Sequence, residues 1–138
     1  MLVGTGTAHH LHYDTSGQAV WIERQLALPE GISPEESAKL LIEASFGKQS
    51  PNFAPPGTQV ATLIISDGHM VVNLTKQAMG FGQDYYESTI RKQIIKTALG
   101  IEGISCITTL VDRGHYYRYQ EPVSTKYTPW GSNPGPAD

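Results

Sequence analysis

Alternating apolar and polar positions recur along this chain, and two stretches with apolar residues at helical spacing interrupt them. A period of two is typical of strands that bury one face, whereas apolar residues three and four positions apart indicate an amphipathic helix. The alternating segments cover residues 10–13, 19–28, 58–66, 69–74, 104–111 and 115–119.

The first helical stretch has a strong start signal. Ser33 suits the N-cap, Pro34 the first helical position, and Glu36 lies three residues after the serine, which together form a capping box. An apolar stripe follows, and Gly47 is typical of a helix end. The sequence therefore predicts a helix over residues 34–46.

The second helical stretch lies between residues 84 and 100. Asp84 and Glu87 have the spacing of a cap pair, and Gly100 is placed to end the helix. Tyr86 begins an apolar stripe that continues at every fourth position, so Arg91 is expected to face water. The stripe consists of Tyr86, Ile90, Ile94 and Ala98, widened by Ile95 and Leu99.

Two turn signals join the strands into hairpins. Asp67-Gly68 favours a type I′ turn, and residues 112–114 form a second glycine-containing turn. The predicted order is β-β-α-β-β-α-β-β. The simplest arrangement is an α+β fold with one mostly antiparallel sheet and two helices packed on one face.

The 138 residues suit a single domain. We expect a flexible N-terminal segment over residues 1–9 and the folded domain over residues 10–119. Residues 120–138 are rich in proline and glycine, which indicates a tail or linker.

Charge and composition exclude several classes of function. A net charge of −3 and a pI of about 5.9 give no electrostatic basis for binding nucleic acid. No apolar run reaches the length of about 18 residues that a transmembrane helix needs. Cys106 is the only cysteine, so it forms no intramolecular disulfide, and its apolar neighbours indicate a buried strand thiol.

Histidines are the main candidates for chemistry. His9, His10 and His12 form a cluster in which His10 and His12 would share one face of a strand and could hold a metal, but a solvated N-terminus is the favoured interpretation. His69 and His115 each follow a turn, and a hydrolase or isomerase based on either would need a nearby carboxylate or nucleophile. We expect no catalytic, cofactor or metal site.

Aromatic residues are better functional candidates. Phe81 lies between two glycines, and the last strand carries Tyr116, Tyr117 and Tyr119. Aromatic rings are enriched at binding hot spots, so these four residues are candidate partner contacts. The alternative is that the tyrosines form ordinary cross-strand pairs.

The order of several short motifs resembles the GerMN domain family over residues 10–119. The motifs are Tyr13-Asp14 with Arg24, the helical segment 38–43, Pro56-Gly57-Thr58 leading to Asp67-Gly68, residues 71–74, residues 93–99, Gly103-Ile104, and residues 110–112. This resemblance implies a fold similar to the ring-building motifs of secretion-like assemblies.

The same resemblance implies a non-enzymatic, extracytoplasmic module, often part of a sporulation-associated lipoprotein. Its expected partners are envelope or sporulation-complex proteins, and self-association is a further expectation. Membrane attachment would come from a segment that precedes this sequence. The alternative function is binding of a small ligand or a cell-wall glycan such as peptidoglycan through the aromatic residues.

Overall fold

The computed structural model describes residues 4–13, 15–46 and 54–122. The predicted β-β-α-β-β-α-β-β order is confirmed, with the second helix divided into three parts. The elements are β1 (Gly4–Tyr13), β2 (Ala19–Leu28), α1 (Pro34–Ser45), β3 (Val60–Ser66), β4 (His69–Leu74), a 3-10 turn (Lys76–Met79), α2 (Gln83–Tyr85), a π-helical turn (Tyr86–Ile90), α3 (Arg91–Leu99), β5 (Cys106–Val111), a 3-10 turn (Asp112–Gly114) and β6 (Tyr117–Pro122).

Helix α1 begins as its sequence predicts. The Ser33 hydroxyl accepts a hydrogen bond from the Glu36 backbone N–H at 3.1 Å, and Pro34 occupies the first turn. This cap satisfies one of the donors that every helix leaves unpaired at its start. One face of α1 is buried, and it includes Ala38, Leu41 and Ile42.

Helices α2 and α3 and the π-helical turn between them form one continuous long helix over residues 83–99. Its predicted start is wrong, because the N-cap is Gly82 and Asp84 makes no capping hydrogen bond. The predicted exposure of Arg91 is also wrong, since this side chain is buried. Arg91 is buried because its guanidinium packs over the Tyr119 ring of β6.

The last four strands form one sheet in the order β3-β4-β5-β6. Asp67 and Gly68 both have positive φ, 52° and 79°, so the predicted hairpin turn between β3 and β4 is confirmed. Strands β4 and β5 are parallel, because the chain crosses through the long helix before it returns. The other two strand pairs are antiparallel.

The first hairpin forms a second sheet, so the prediction of a single sheet is wrong in this detail. Among the described strands, β1 and β2 pair only with each other, antiparallel along their whole length. The outer edge of β1 lies against the long helix instead of another strand. Thr97 Oγ1 accepts from the His9 backbone N–H at 3.0 Å, and Gln93 Oε1 accepts from the Leu11 backbone N–H at 2.7 Å.

The prediction that residues 1–9 are flexible is wrong for the part that is described. Strand β1 begins at Gly4, and Ala8 and His9 are buried. The hairpin also passes close to α1, since a Cβ atom at Gly6 would lie 2.7 Å from Leu41 Cδ1. At the other end β6 extends to Pro122, and residues 123–138 of the predicted tail lie outside the described ranges.

The main hydrophobic core lies between the inner face of the four-stranded sheet and the helices. Both α1 and the long helix contribute to it, so the opposite face of the sheet is left to solvent, where Ile64 is 57% exposed. In the described ranges, no helix has the length and apolar character needed to cross a bilayer. The core includes Ile42, Phe46, Met70, Val72, Leu74, Tyr86, Ile90, Ile94, Ile95, Ile107, Val111 and Tyr117.

Replacing Thr97 with valine should remove one of the two hydrogen bonds that join β1 to the long helix, with little change in side-chain volume. The His9 N–H would then be buried without an acceptor, which costs about 1–3 kcal/mol. We expect a loss of this size in the free energy of unfolding measured with urea, together with faster hydrogen exchange at His9.

The matched control is Thr62→Val, because Thr62 is exposed. Equal stabilities of the two variants would contradict a role of Thr97 in holding the hairpin.

Candidate functional site: an aromatic surface

Two pairs of aromatic rings meet at the N-terminal end of the long helix. The Phe81 and Tyr85 rings are edge-to-face with centroids 5.3 Å apart, and the Tyr86 and Tyr117 rings lie 4.6 Å apart. Tyr85 and Tyr86 are consecutive, so the helix backbone links the two pairs. Tyr116 directly precedes the buried Tyr117, and its own side chain points away from the core and is exposed.

The backbone before the long helix positions Phe81. Gly82 has φ of 97°, a left-handed conformation that side chains other than glycine rarely adopt. The chain therefore reverses directly after Phe81 and enters the helix. The phenylalanine ring stays at the surface, 48% exposed.

A partly buried polar network lies beneath these rings. The Tyr117 hydroxyl donates a short hydrogen bond to Glu87 Oε2, and Arg91 Nη1 lies 3.3 Å from Glu87 Oε1. The Arg91 guanidinium also lies over the Tyr119 ring, 3.9 Å from its centroid, a cation–π contact. Helix and last strand are thus joined through charged and aromatic groups.

Burial keeps the two inner tyrosines neutral. It raises the pKa of Tyr86 well above its usual value, and burial together with the hydrogen bond to Glu87 raises the pKa of Tyr117. A neutral Tyr117 hydroxyl keeps its proton and remains a donor to Glu87.

The four predicted contact residues divide into two groups. Phe81 and Tyr116 are exposed, by 48% and 59%, and we use the name aromatic surface for these two residues together with the half-buried Tyr85, which contacts Phe81. Tyr117 is buried in the core, so its prediction as a partner contact is wrong, because the alternation of β6 directs it inward. Tyr119 points the same way and is half-buried under Arg91.

Glu87, Arg91 and Tyr85 were missed as site residues from the sequence. The spacing of Glu87 and Arg91, four positions apart on a helix, is the signal of an ion pair that could have found them. That pattern is usually solvent-exposed, and only the packing of β6 against the helix encloses this pair.

The three N-terminal histidines do not form a shared site. The expectation of a solvated segment is wrong, because His9 and His10 are buried on opposite faces of β1. His10 Nδ1 lies 3.0 Å from the Ser45 carbonyl oxygen, while desolvation lowers the pKa of His9. Within the described ranges no three His, Cys, Asp or Glu side chains are close enough to hold a metal.

The remaining titratable candidates lie on the open face of the four-stranded sheet or near its turn. His69 Nε2 lies 2.6 Å from the Thr108 hydroxyl oxygen, and His115 is exposed. Cys106 is half-buried, not fully buried as expected, since it is aligned with His69 on the neighbouring strand and points to the same open face. The observed partner of His69 is a hydroxyl, which does not stabilise an imidazolium as a carboxylate would.

The sequence matches the Germane family, described as "Sporulation and spore germination", over residues 12–113. The match covers most of the chain. The chain therefore belongs to this family of sporulation and germination domains.

Solved structures show the same fold. The tandem GerMN domains of the sporulation protein GerM from Bacillus subtilis align with 88% of this chain at a TM-score of 0.63 and 11% identity. The first GerMN domain of the same protein aligns with 79% of this chain and 83% of its own length, at a TM-score of 0.56 and 17% identity. This chain spans 44% of the tandem structure. No significant match occurs among curated proteins.

The inner tyrosines should make stability depend on pH in the alkaline range. Their pKa values are raised in the folded state, so above the ordinary tyrosine value of 10.0 only the unfolded chain loses these protons. The free energy of unfolding is therefore expected to fall as pH rises above 10. Tyr117→Phe should reduce this slope by at most about 1.4 kcal/mol per pH unit, measured by urea unfolding between pH 8 and 11.

The matched control is Tyr116→Phe, since Tyr116 is exposed. It should leave the slope unchanged, and a slope in Tyr117→Phe equal to that of the unmodified protein would contradict the assignment.

Proposed function

We propose that this chain is a non-enzymatic, extracytoplasmic module that contacts a protein partner through its aromatic surface. Its membership of a sporulation and germination family supports a role in the cell envelope of a sporulating bacterium. The proposal includes attachment to a membrane through a segment outside the described residues. Envelope or sporulation-complex proteins are the partners that fit this setting.

One observation carries the choice of surface. Phe81 and Tyr116 leave about half of their area exposed, and each is next to a residue that is held in place, Phe81 in space and Tyr116 along the chain. Phe81 packs on Tyr85, and Tyr116 is next to Tyr117, which is anchored by Glu87 and Tyr86. Rigid aromatic rings provide contact area at low entropic cost, as binding hot spots require.

The long helix supports this role mechanically. The Glu87–Arg91 pair and the Tyr119 ring join the helix to β6 directly behind the aromatic surface. The aromatic surface is therefore supported by the sheet as well as by the helix when a partner binds. This rigidity suits a scaffold, because force or position can be transmitted without rearranging the domain.

Site-specific cross-linking tests the proposed surface. A photoreactive phenylalanine analogue at position 81 or 116, in sporulating cells that produce the protein, should yield a discrete cross-linked protein. Alanine at either position should weaken binding of the captured partner about tenfold or more, since hot-spot truncations commonly cost that much.

The matched control is position 64, because Ile64 is similarly exposed but lies on β3, at the opposite edge of the four-stranded sheet from β6. Capture at position 64 alone would contradict the choice of surface. Cross-linking at positions 81 and 116 to peptidoglycan instead of protein would favour the glycan-binding alternative.

The proposed compartment has a separate test. Ile64→Cys in a Cys106→Ser background places one exposed thiol on the domain, outside the proposed partner surface. A maleimide that cannot cross membranes should label this variant in cells whose outer wall layers have been removed but whose cytoplasmic membrane is intact. Labelling only after lysis would contradict an extracytoplasmic location.

A further inference from the structure

The β1–β2 hairpin has two edges, and the described residues cover only one of them. The β1 edge is satisfied by Thr97 and Gln93 of the long helix. Strand β2 packs against β1 and α1, and no other described element is extensively packed against it. Its outer edge is ten residues long and contains no proline.

The hydrogen bonds of β1 determine which β2 backbone groups point outward. In an antiparallel pair, consider two residues directly opposite each other. Their backbone N–H and C=O groups either all point towards the partner strand or all point away from it. The His9 and Leu11 N–H groups face away, towards the long helix, and these residues are aligned with Glu23 and Trp21. The N–H and C=O groups of Trp21, Glu23 and, two residues on, Gln25 therefore point outward from the hairpin.

The side chains beside these groups are partly apolar. Val20 and Ile22 are 44% and 41% exposed, and Arg24 follows on the same face of the strand and is also exposed. On the other face Trp21 lies near the Lys96 ammonium, 5.8 Å from the ring centroid. One face of the edge thus offers two apolar side chains followed by a cation.

We propose that the β2 edge binds an extended segment of another protein by adding it as a further strand. The segment would place apolar side chains opposite Val20 and Ile22 and an acidic side chain opposite Arg24. Backbone hydrogen bonds to Trp21, Glu23 and Gln25 would supply affinity, and the side-chain pattern would supply specificity. This site is separate from the aromatic surface, so either can fail without the other.

Charge argues against a second copy of this chain as the occupant. In a symmetric dimer, two antiparallel β2 strands would be related by a two-fold axis perpendicular to the sheet. This axis keeps each side chain on its own face, so an even-numbered residue can lie opposite only an even-numbered one, and an odd-numbered residue opposite only an odd-numbered one. The two longest registers of this kind centre on Glu23 opposite Glu23 or Arg24 opposite Arg24. Like charges directly opposite each other are destabilising.

Hydrogen exchange of the full chain with defined peptides tests the proposal. The probes are two seven-residue peptides in which isoleucine alternates with threonine and one end carries glutamate. The second peptide has the reverse sequence of the first, so that the pair covers both parallel and antiparallel binding to β2. In the free protein the Ile22 and Arg24 amides should be protected by β1, while the Trp21, Glu23 and Gln25 amides exchange rapidly. Binding of one peptide should selectively slow the exchange of the Trp21, Glu23 and Gln25 amides.

Two substitutions separate the backbone and side-chain contributions. Gln25→Pro removes one outward N–H, which an edge strand tolerates, and should weaken peptide binding about tenfold. Gln25→Thr is the matched control, because it loses the same bond to Thr7 but keeps the N–H. Arg24→Glu should weaken binding about fivefold and instead favour a peptide with lysine in place of glutamate.

Protected Ile22 and Arg24 amides in the Gln25→Pro variant will show that the hairpin is intact. Slow exchange of the Trp21, Glu23 and Gln25 amides in the free monomer would overturn the proposal, because the chain itself would then cover the edge. Protection of these three amides that rises with protein concentration in the absence of peptide would overturn the proposal in favour of self-association. Equal binding by Gln25→Pro and Gln25→Thr, or no binding of either peptide, would also overturn it.

Discussion

The fold depends on the two different sides of the long helix. One side packs in the hydrophobic core, and the other accepts hydrogen bonds from the backbone of β1. One side supplies apolar residues such as Ile90 and Ile94 to the core over the four-stranded sheet. The other supplies Gln93 and Thr97, whose oxygens accept hydrogen bonds from the backbone of β1. Since an unpaired buried N–H is costly, these two polar residues allow a strand edge to be buried against a helix. Without them the hairpin would have to be exposed or paired elsewhere.

The same helix connects that constraint to the aromatic surface. Its N-terminal turns carry Tyr85, Tyr86 and Glu87, and the buried Arg91 is placed within reach of Tyr119. A buried charge is tolerated only when it is paired, and here Glu87 and an aromatic face provide the partners. The polar network therefore fixes the orientation of the helix relative to β6, and with it the position of the exposed rings.

The two candidate interaction sites differ in chemistry. The aromatic surface offers exposed side-chain contact area, while the β2 edge offers backbone groups that no described strand pairs, flanked by Val20, Ile22 and Arg24. A module with two such surfaces can contact two neighbours at once, which is what a scaffold requires. Membership of a sporulation and germination family is consistent with such a role.

The sequence by itself determined the order of elements and most of their ends. Capping at Ser33, the Asp67-Gly68 turn and the period-two pattern of β2 are local signals, and each corresponds to the element observed. The sequence also predicted Phe81 and Tyr116 as partner contacts, and both side chains are exposed. The family resemblance added the expected fold.

Tertiary structure alone decided the features that depend on residues distant in the chain. The separation into two sheets results from hydrogen bonds between β1 and Gln93 and Thr97, more than 80 positions away. The burial of Arg91 and Tyr117 follows from the contact of β6 with the long helix, which no local pattern encodes. Local signals specify backbone conformation, whereas burial and pairing depend on which surfaces meet, and those contacts exist only in the folded chain.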